Sequence, residues 1–126
     1  MSKIYYYTTI SNNNPVKEFI ESLNKSQTAK VARILKTIEQ YGIKFSFPYT
    51  RKVTGTQLWE IRILGQDNIR VIHAIIYRQD ILLLHGFLKK KQKTPKKDLD
   101  TALNRYKDWL IRFRHVKVTI PFGLNK

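Results

Sequence analysis

Cysteine is absent from this 126-residue chain, which excludes disulfides and thiolate metal sites. No apolar run reaches the roughly 18 residues that a membrane-spanning helix needs. Residues 1–10, MSKIYYYTTI, have neither the apolar segment nor the small-residue cleavage site of a secretory signal. The cytoplasm is therefore the expected compartment, and no membrane partner is expected. Histidine is scarce. The three, at positions 73, 85 and 115, lack short metal-ligand spacing, and neither a metal nor another cofactor is expected. There is no internal repeat and no linker long enough to separate two domains.

Acidic residues are the most telling shortage. Nine Asp and Glu stand against 24 Lys and Arg, a formal charge of +15 with a pI near 10.2. Such an imbalance does not define a fold, but it predicts association with polyanions or with an acidic partner protein. The hydrophobic share, 42%, is ordinary for a globular domain, so the charge sits on a chain able to bury a core.

Residues 58–97 organise the rest. Apolar runs over 58–64, 69–77 and 81–88, separated by short polar breaks, describe a three-stranded antiparallel meander. Ahead of it, KIYYYTT (3–9) reads as a first strand. Asn14-Pro15 starts a helix whose apolar face is Val16, Phe19, Ile20 and Leu23. Ser26 caps a second helix carrying Val31, Ile34, Leu35, Ile38 and Tyr41, which Gly42 ends. Residues 43–57 read as a loop, with a short edge strand as the alternative. Thr94-Pro95 opens a long amphipathic helix with Leu99, Ala102, Leu103, Tyr106, Leu110 and Phe113 on its apolar face. The expected fold is α+β, order β-α-α-β-β-β-α, an antiparallel sheet with helices packed on one face. Residues 1–113 make one domain. Residues 114–126 make a basic tail in which 116–120 is β-prone and able to add an edge strand.

Strand alternation puts Leu58, Glu60 and Arg62 on one face and Trp59, Ile61 and Ile63 on the other. With the apolar set against the helices, Glu60 and Arg62 point to the open face. Arg62 suits a bidentate phosphate contact, although an arginine paired with Glu60 or Asp67 is the plainer reading. Arg70 opens the next strand, where a solvated strand-end charge is the alternative. The third strand empties into Lys89, Lys90, Lys91, Lys93, Lys96 and Lys97. A lysine run is usually just solvated; six lysines beside two sheet arginines favour RNA. By alternation His85 shares a face with Leu83 and Phe87, and His73 with Val71, Ile75 and Tyr77. A histidine among apolar residues is more often a core residue than a catalyst. Tyr77 and Trp59 could stack on bases, Trp59 more readily being core.

LWEIR, then IRVIHAI, then LLLHGFLKKKQKTP before an amphipathic helix resembles the RelE/HigB superfamily of bacterial toxins, and more closely its phage-derived HigB-like branch. The resemblance covers residues 3–113. It implies a RelE-like fold and a type II toxin that cleaves mRNA in the ribosomal A site. It also implies a cognate antitoxin, typically a HigA-like helix-turn-helix protein, with mRNA and the ribosome as the other partners. On that reading Arg70 is the first choice to stabilise the phosphorane. Arg62, Lys90, Lys91, Glu60 and His85 complete the catalytic candidates, and Arg51, Lys52, Lys89, Lys93, Lys96 and Lys97 are the RNA-binding ones. Metal-free cleavage needs a base for the 2′-hydroxyl, donors for the phosphorane and an acid for the leaving oxygen; Glu60 and His85 compete for the proton-transfer roles. A ParE-like toxin that inhibits gyrase and a non-catalytic RNA-binding module are the alternatives.

Overall fold

The computed structural model describes residues 2–63, 68–89 and 94–119, with backbone alone for 47, 48 and 114–119. Chain order is β1 (Ile4–Tyr6), α1 (Pro15–Glu21), α2 (Lys25–Tyr41), a 3-10 segment (Ile43–Tyr49), β2 (Thr50–Lys52), β3 (Leu58–Ile63), β4 (Ile69–Ile76), β5 (Asp80–Leu88) and α3 (Lys96–Thr119). The strands form one sheet in the order β1-β5-β4-β3-β2. The α+β class and the meander are as expected. The wholly antiparallel sheet is not, because β1 runs parallel to β5. Residues 50–52, expected in a loop, are the edge strand β2 paired to β3.

Helices cover both faces, not one. Ile61, Ile63, Ile69, Val71, Ile81 and Leu83 form one core with Val16, Val31, Leu35 and Ile38 of α1 and α2. Leu58, Ile72, Ala74, Leu82 and Leu84 form a second core, against Ala102, Leu103, Tyr106 and Trp109 of α3. Both β4 and β5 carry apolar residues on each side, and a strand of that kind is buried between two layers.

A bulge interrupts β5. Ile72 pairs with His85 but His73 pairs with Leu83, leaving Leu84 as an extra residue. Leu82 and Leu84 pack on the α3 side; beyond the bulge His85 and Phe87 take that side, and Gly86 faces α1. The expected sharing of a face by His85 and Leu83 is therefore wrong: the inserted residue shifts the alternation by one.

Gly86 is where α1 lies closest to the sheet, and a methyl group there would overlap the Phe19 ring. Gly86→Ala is expected to destabilise the fold by about 1–3 kcal/mol through overpacking. Denaturant unfolding measures this, and adding Phe19→Leu should return part of the loss.

Local signals set the helix ends. The Asn14 side chain accepts from Lys17 N at 3.1 Å. For α2 the cap is Asn24, not Ser26: Asn24 and Gln27 each bond the other's backbone N–H, at 2.8 and 2.9 Å. Gly42 ends α2 at φ 99°. Helix α3 is tied to β1 by Tyr7, whose hydroxyl donates to Asp108 at 2.6 Å, and by Arg112, which donates to Thr8 O. It runs on through Thr119, so residues 116–119 are helical rather than an edge strand; residues 120–126 lie outside the described part. Extending a formed helix needs no new nucleus, and a β preference of a few tenths of a kcal/mol per residue does not stop it.

Candidate functional site

Register brings the charged candidates together. Arg51, Glu60, Ile72 and His85 are neighbours across β2, β3, β4 and β5, and Arg62, Arg70 and Phe87 form the next row. Directly opposed residues share a face, so both rows lie on the α3 side. The first turn of α3 stands over them. A cavity of about 450 Å³ opens there, lined by Arg51, Lys52, Val53, Thr54, Glu60, Lys89, Thr94 and Leu99.

The face expected to be open is partly roofed. Glu60 is 2% exposed, Arg70 7% and Lys89 7%. Glu60 Oε1 lies 3.5 Å from Arg70 Nε, and Oε2 accepts a hydrogen bond from the Thr94 hydroxyl at 2.8 Å. Thr94 thus spends its hydroxyl on the site instead of capping α3. Arg70 Nη1 donates to Ile69 O at 3.0 Å, which fixes the plane of its guanidinium. The Nε atoms of Arg62 and Arg70 are buried without a hydrogen-bond partner among the described residues. Unsatisfied buried donors are costly unless a ligand supplies the acceptor.

Charge is unbalanced in the same way. Arg51, Arg62, Arg70 and Lys89 feel one another and share a single carboxylate, Glu60. Burial lowers the Arg70 pKa; Glu60 opposes this, and Arg62 and Arg51 add to it. An arginine remains charged all the same. Burial likewise lowers the Lys89 pKa, with Glu60 opposing and Arg70, Arg51 and Arg62 reinforcing it. The arrangement calls for an anion carrying more than one negative charge. One carboxylate among four cations is a poor place for a metal ion, and among the described residues no group of three His, Cys, Asp or Glu could hold one.

Other candidates fall elsewhere. His85 is held inside the α3 interface: Nε2 lies 2.7 Å from Asp98 Oδ1, and Arg105 Nη1 lies 3.2 Å from Nδ1. Arg105 can only donate, so Nδ1 accepts and the Nε2–H donates to Asp98. Burial lowers the His85 pKa, which keeps this neutral tautomer; Asp98 works the other way, and Arg105 and Lys97 assist the lowering. Lys96 is exposed and bonds Asp100 at 2.8 Å; Lys97 is exposed on the same turn. Lys52 lines the cavity but holds its ammonium 5.8 Å from the centre of the Trp59 ring. Tyr77 follows the far end of β4, about 20 Å along the strand from Arg70, and takes no part. Lys90, Lys91 and Lys93 lie outside the described residues. A second hollow of about 650 Å³ beside β1 has Lys3 and Arg78 matched by Glu39 and Asp80, so it carries no charge excess.

The sequence pattern of the phage-derived Gp49-like proteins (DUF891) matches residues 18–107, from within α1 to within α3. The chain belongs to the Gp49-like family. That family is one of the RelE/HigB-like toxins and is associated with toxin–antitoxin systems, which implies an antitoxin partner. Every charged residue of the Gp49-like site, from Arg51 to Lys97, falls inside the matched stretch. No curated protein matches the chain.

Sequence reasoning overlooked Thr94, Asp98 and Arg105 in this Gp49-like chain. Thr94 read as a helix cap, and the helical residues gave no signal because only packing of α3 on the sheet brings them to Glu60 and His85. It also ranked Lys89 with peripheral RNA contacts, whereas Lys89 lines the cavity.

Proposed function

We propose that this Gp49-like protein is a type II toxin of the HigB branch that cleaves mRNA, at the ribosomal A site, without a metal. The reading rests on one observation above others: the Arg62 and Arg70 Nε atoms are buried without a hydrogen-bond partner among the described residues, beside a cavity where Arg51 and Lys89 join them around one carboxylate, Glu60. A phosphodiester carries one negative charge and the phosphorane formed by 2′-hydroxyl attack carries two. A fixed positive excess therefore binds the transition state more strongly than the substrate, the condition for catalysis. Arg70 and Arg62 are the phosphorane donors, Arg51 and Lys89 bind the same or the flanking phosphate, and Glu60 takes the 2′-hydroxyl proton. His85, with both nitrogens engaged by α3, positions the helix that carries Thr94's neighbours over the cavity. Lys90, Lys91, Lys93, Lys96, Lys97 and Lys52 extend the field along the RNA. The protein acts in the cytoplasm, and a HigA-like antitoxin supplies the acidic surface that an excess of +15 requires.

Brief expression in a bacterial host, followed by mapping of mRNA 5′ ends, tests this. New 5′ ends inside translated frames are expected from the wild type and not from Arg70→Ala. Growth arrest with intact mRNA would overturn the nuclease reading in favour of gyrase inhibition. No arrest with retained RNA binding would leave a binding module.

A further inference from the structure

The cavity contains a proton donor that the resemblance did not assign to catalysis. We propose that Lys89 is the general acid that protonates the leaving 5′-oxygen; this rests on the ribonuclease reading above.

Few groups at or beside the cavity can exchange a proton. Guanidinium groups cannot near neutral pH, which removes Arg51, Arg62 and Arg70. The Thr94 hydroxyl is committed as donor to Glu60 Oε2. The Lys52 ammonium turns to the Trp59 ring, and register places Trp59 on the α1/α2 side of the sheet. Both nitrogens of His85 are bonded to α3 residues. Among the described residues two groups remain, Glu60 and Lys89, and both line the cavity. One is a carboxylate able to accept a proton; the other is an ammonium able to give one.

Position and environment suit the assignment. Lys89 is the first residue after β5, and its backbone N–H donates to Asn68 O at 2.8 Å, so the stem is anchored at the sheet end. The residue is 7% exposed, and what remains accessible of it lines the cavity beside Glu60. Burial and three neighbouring guanidiniums make the ammonium a stronger acid than a lysine in water. A donor whose pKa moves toward the working pH transfers its proton more readily at the transition state.

The step balances as follows. Glu60 accepts the proton of the 2′-hydroxyl as the O2′–P bond forms. The P–O5′ bond breaks with its electron pair on O5′, which takes a proton from Lys89 Nζ. The products are a 2′,3′-cyclic phosphate and a 5′-hydroxyl. Glu60 is left protonated and Lys89 neutral, and exchange with water restores both.

Paired substrates separate proton donation from charge. One is a short single-site RNA, presented on the ribosome if cleavage requires it; the other is the same RNA with sulfur in place of the scissile 5′-oxygen. Thiolate leaves without a proton. Lys89→Met is expected to slow cleavage of the oxygen substrate by about 10²–10³-fold and of the sulfur substrate less than about tenfold, within the usual range for general acids. Lys89→Arg keeps the charge but offers no transferable proton, and should show the same contrast. Equal losses on the two substrates, or wild-type cleavage of the oxygen substrate by Lys89→Arg, would overturn the assignment while leaving the nuclease reading intact. A wild type that cleaves neither substrate would overturn both.

Discussion

Arg70→Ala is expected to lower RNA cleavage by about 10²–10³-fold, the usual cost of removing one preorganised transition-state donor. Its position explains the size. Register sets it beside Arg62 and Phe87, the Ile69 carbonyl fixes one end of the guanidinium, and the Nε is left with an acceptor still to find. The same substitution also harms the fold. Glu60, 2% exposed, loses the cation 3.5 Å away but keeps Arg51 and Lys89 nearby, so the loss should fall below the ~3–5 kcal/mol of a buried charge left with no partner. Lost activity alone would therefore be ambiguous. The double variant Glu60→Gln/Arg70→Met removes both members of the pair, but also the one carboxylate facing Arg51, Arg62 and Lys89, so it should recover only part of the stability while remaining inactive. Denaturant midpoints and single-turnover cleavage, measured on the same samples, decide the matter. A folded, active Arg70→Met/Glu60→Gln protein would show that neither residue takes part in the chemistry.

The second large effect is acid sensitivity from His73. This residue is 1% exposed on the α1/α2 side of β4, and its Nδ1 has no hydrogen-bond partner among the described residues. Burial lowers its pKa from 6.5 to about 3. Between those values the unfolded chain holds a proton that the folded chain does not, so the unfolded state gains as pH falls. Stability from this residue is complete above pH 6.5 and is lost at about 1.4 kcal/mol per pH unit toward pH 3. His85, also lowered, adds a contribution of the same sign. His73→Leu should flatten the stability profile between pH 7 and pH 5 and leave neutral-pH stability equal or higher, since an unpaired polar atom leaves the core. Urea midpoints at stepped pH measure it. A variant with the wild-type slope would place the acid sensitivity elsewhere.

The two histidines show how far alternation alone can be read. His73 among Val71 and Ile75 is a core residue, as its apolar neighbours suggest. His85 is not where simple alternation puts it, because Leu84 is inserted into β5 opposite the step from Ile72 to His73. Nothing in the run ILLLH marks that insertion. A bulge is selected by how two strands and a helix pack together, and its local cost does not depend on one recognisable residue type. It decides whether His85 meets Asp98 and Arg105 or the opposite core.

Covering of the sheet was partly legible. Strands that read IRVIHAII and ILLL are apolar at consecutive positions, which signals burial on both faces and argues against an open one. The open-face reading came from β3 alone, where Glu60 and Arg62 break the run. Those charges lie beneath the start of α3, where the roof is short enough to leave a cavity. Their burial also goes with Lys89 lining the cavity beside the sheet residues while Lys96 does not: Lys89 is held at the strand end, and Lys96 stands in water beside Asp100.

Local sequence determined the meander, the Asn14-Pro15 and Gly42 helix boundaries, the cationic excess and the placing of Glu60 and Arg62 on one face of β3. These follow from period, turn chemistry and composition, which act over a few residues. Only the tertiary structure decided that β1 joins β5 in parallel, that α3 covers the second face, and that Thr94 reaches Glu60. The strand β1 meets β5 where Lys3 and Asp80 are 77 positions apart, Thr94 lies 34 positions from Glu60, and even Arg105 reaches Leu84 across 21. Such contacts are chosen by burying apolar area on both faces of one sheet. Local preference is too weak to foresee them, and burial is what brings four cations to one carboxylate.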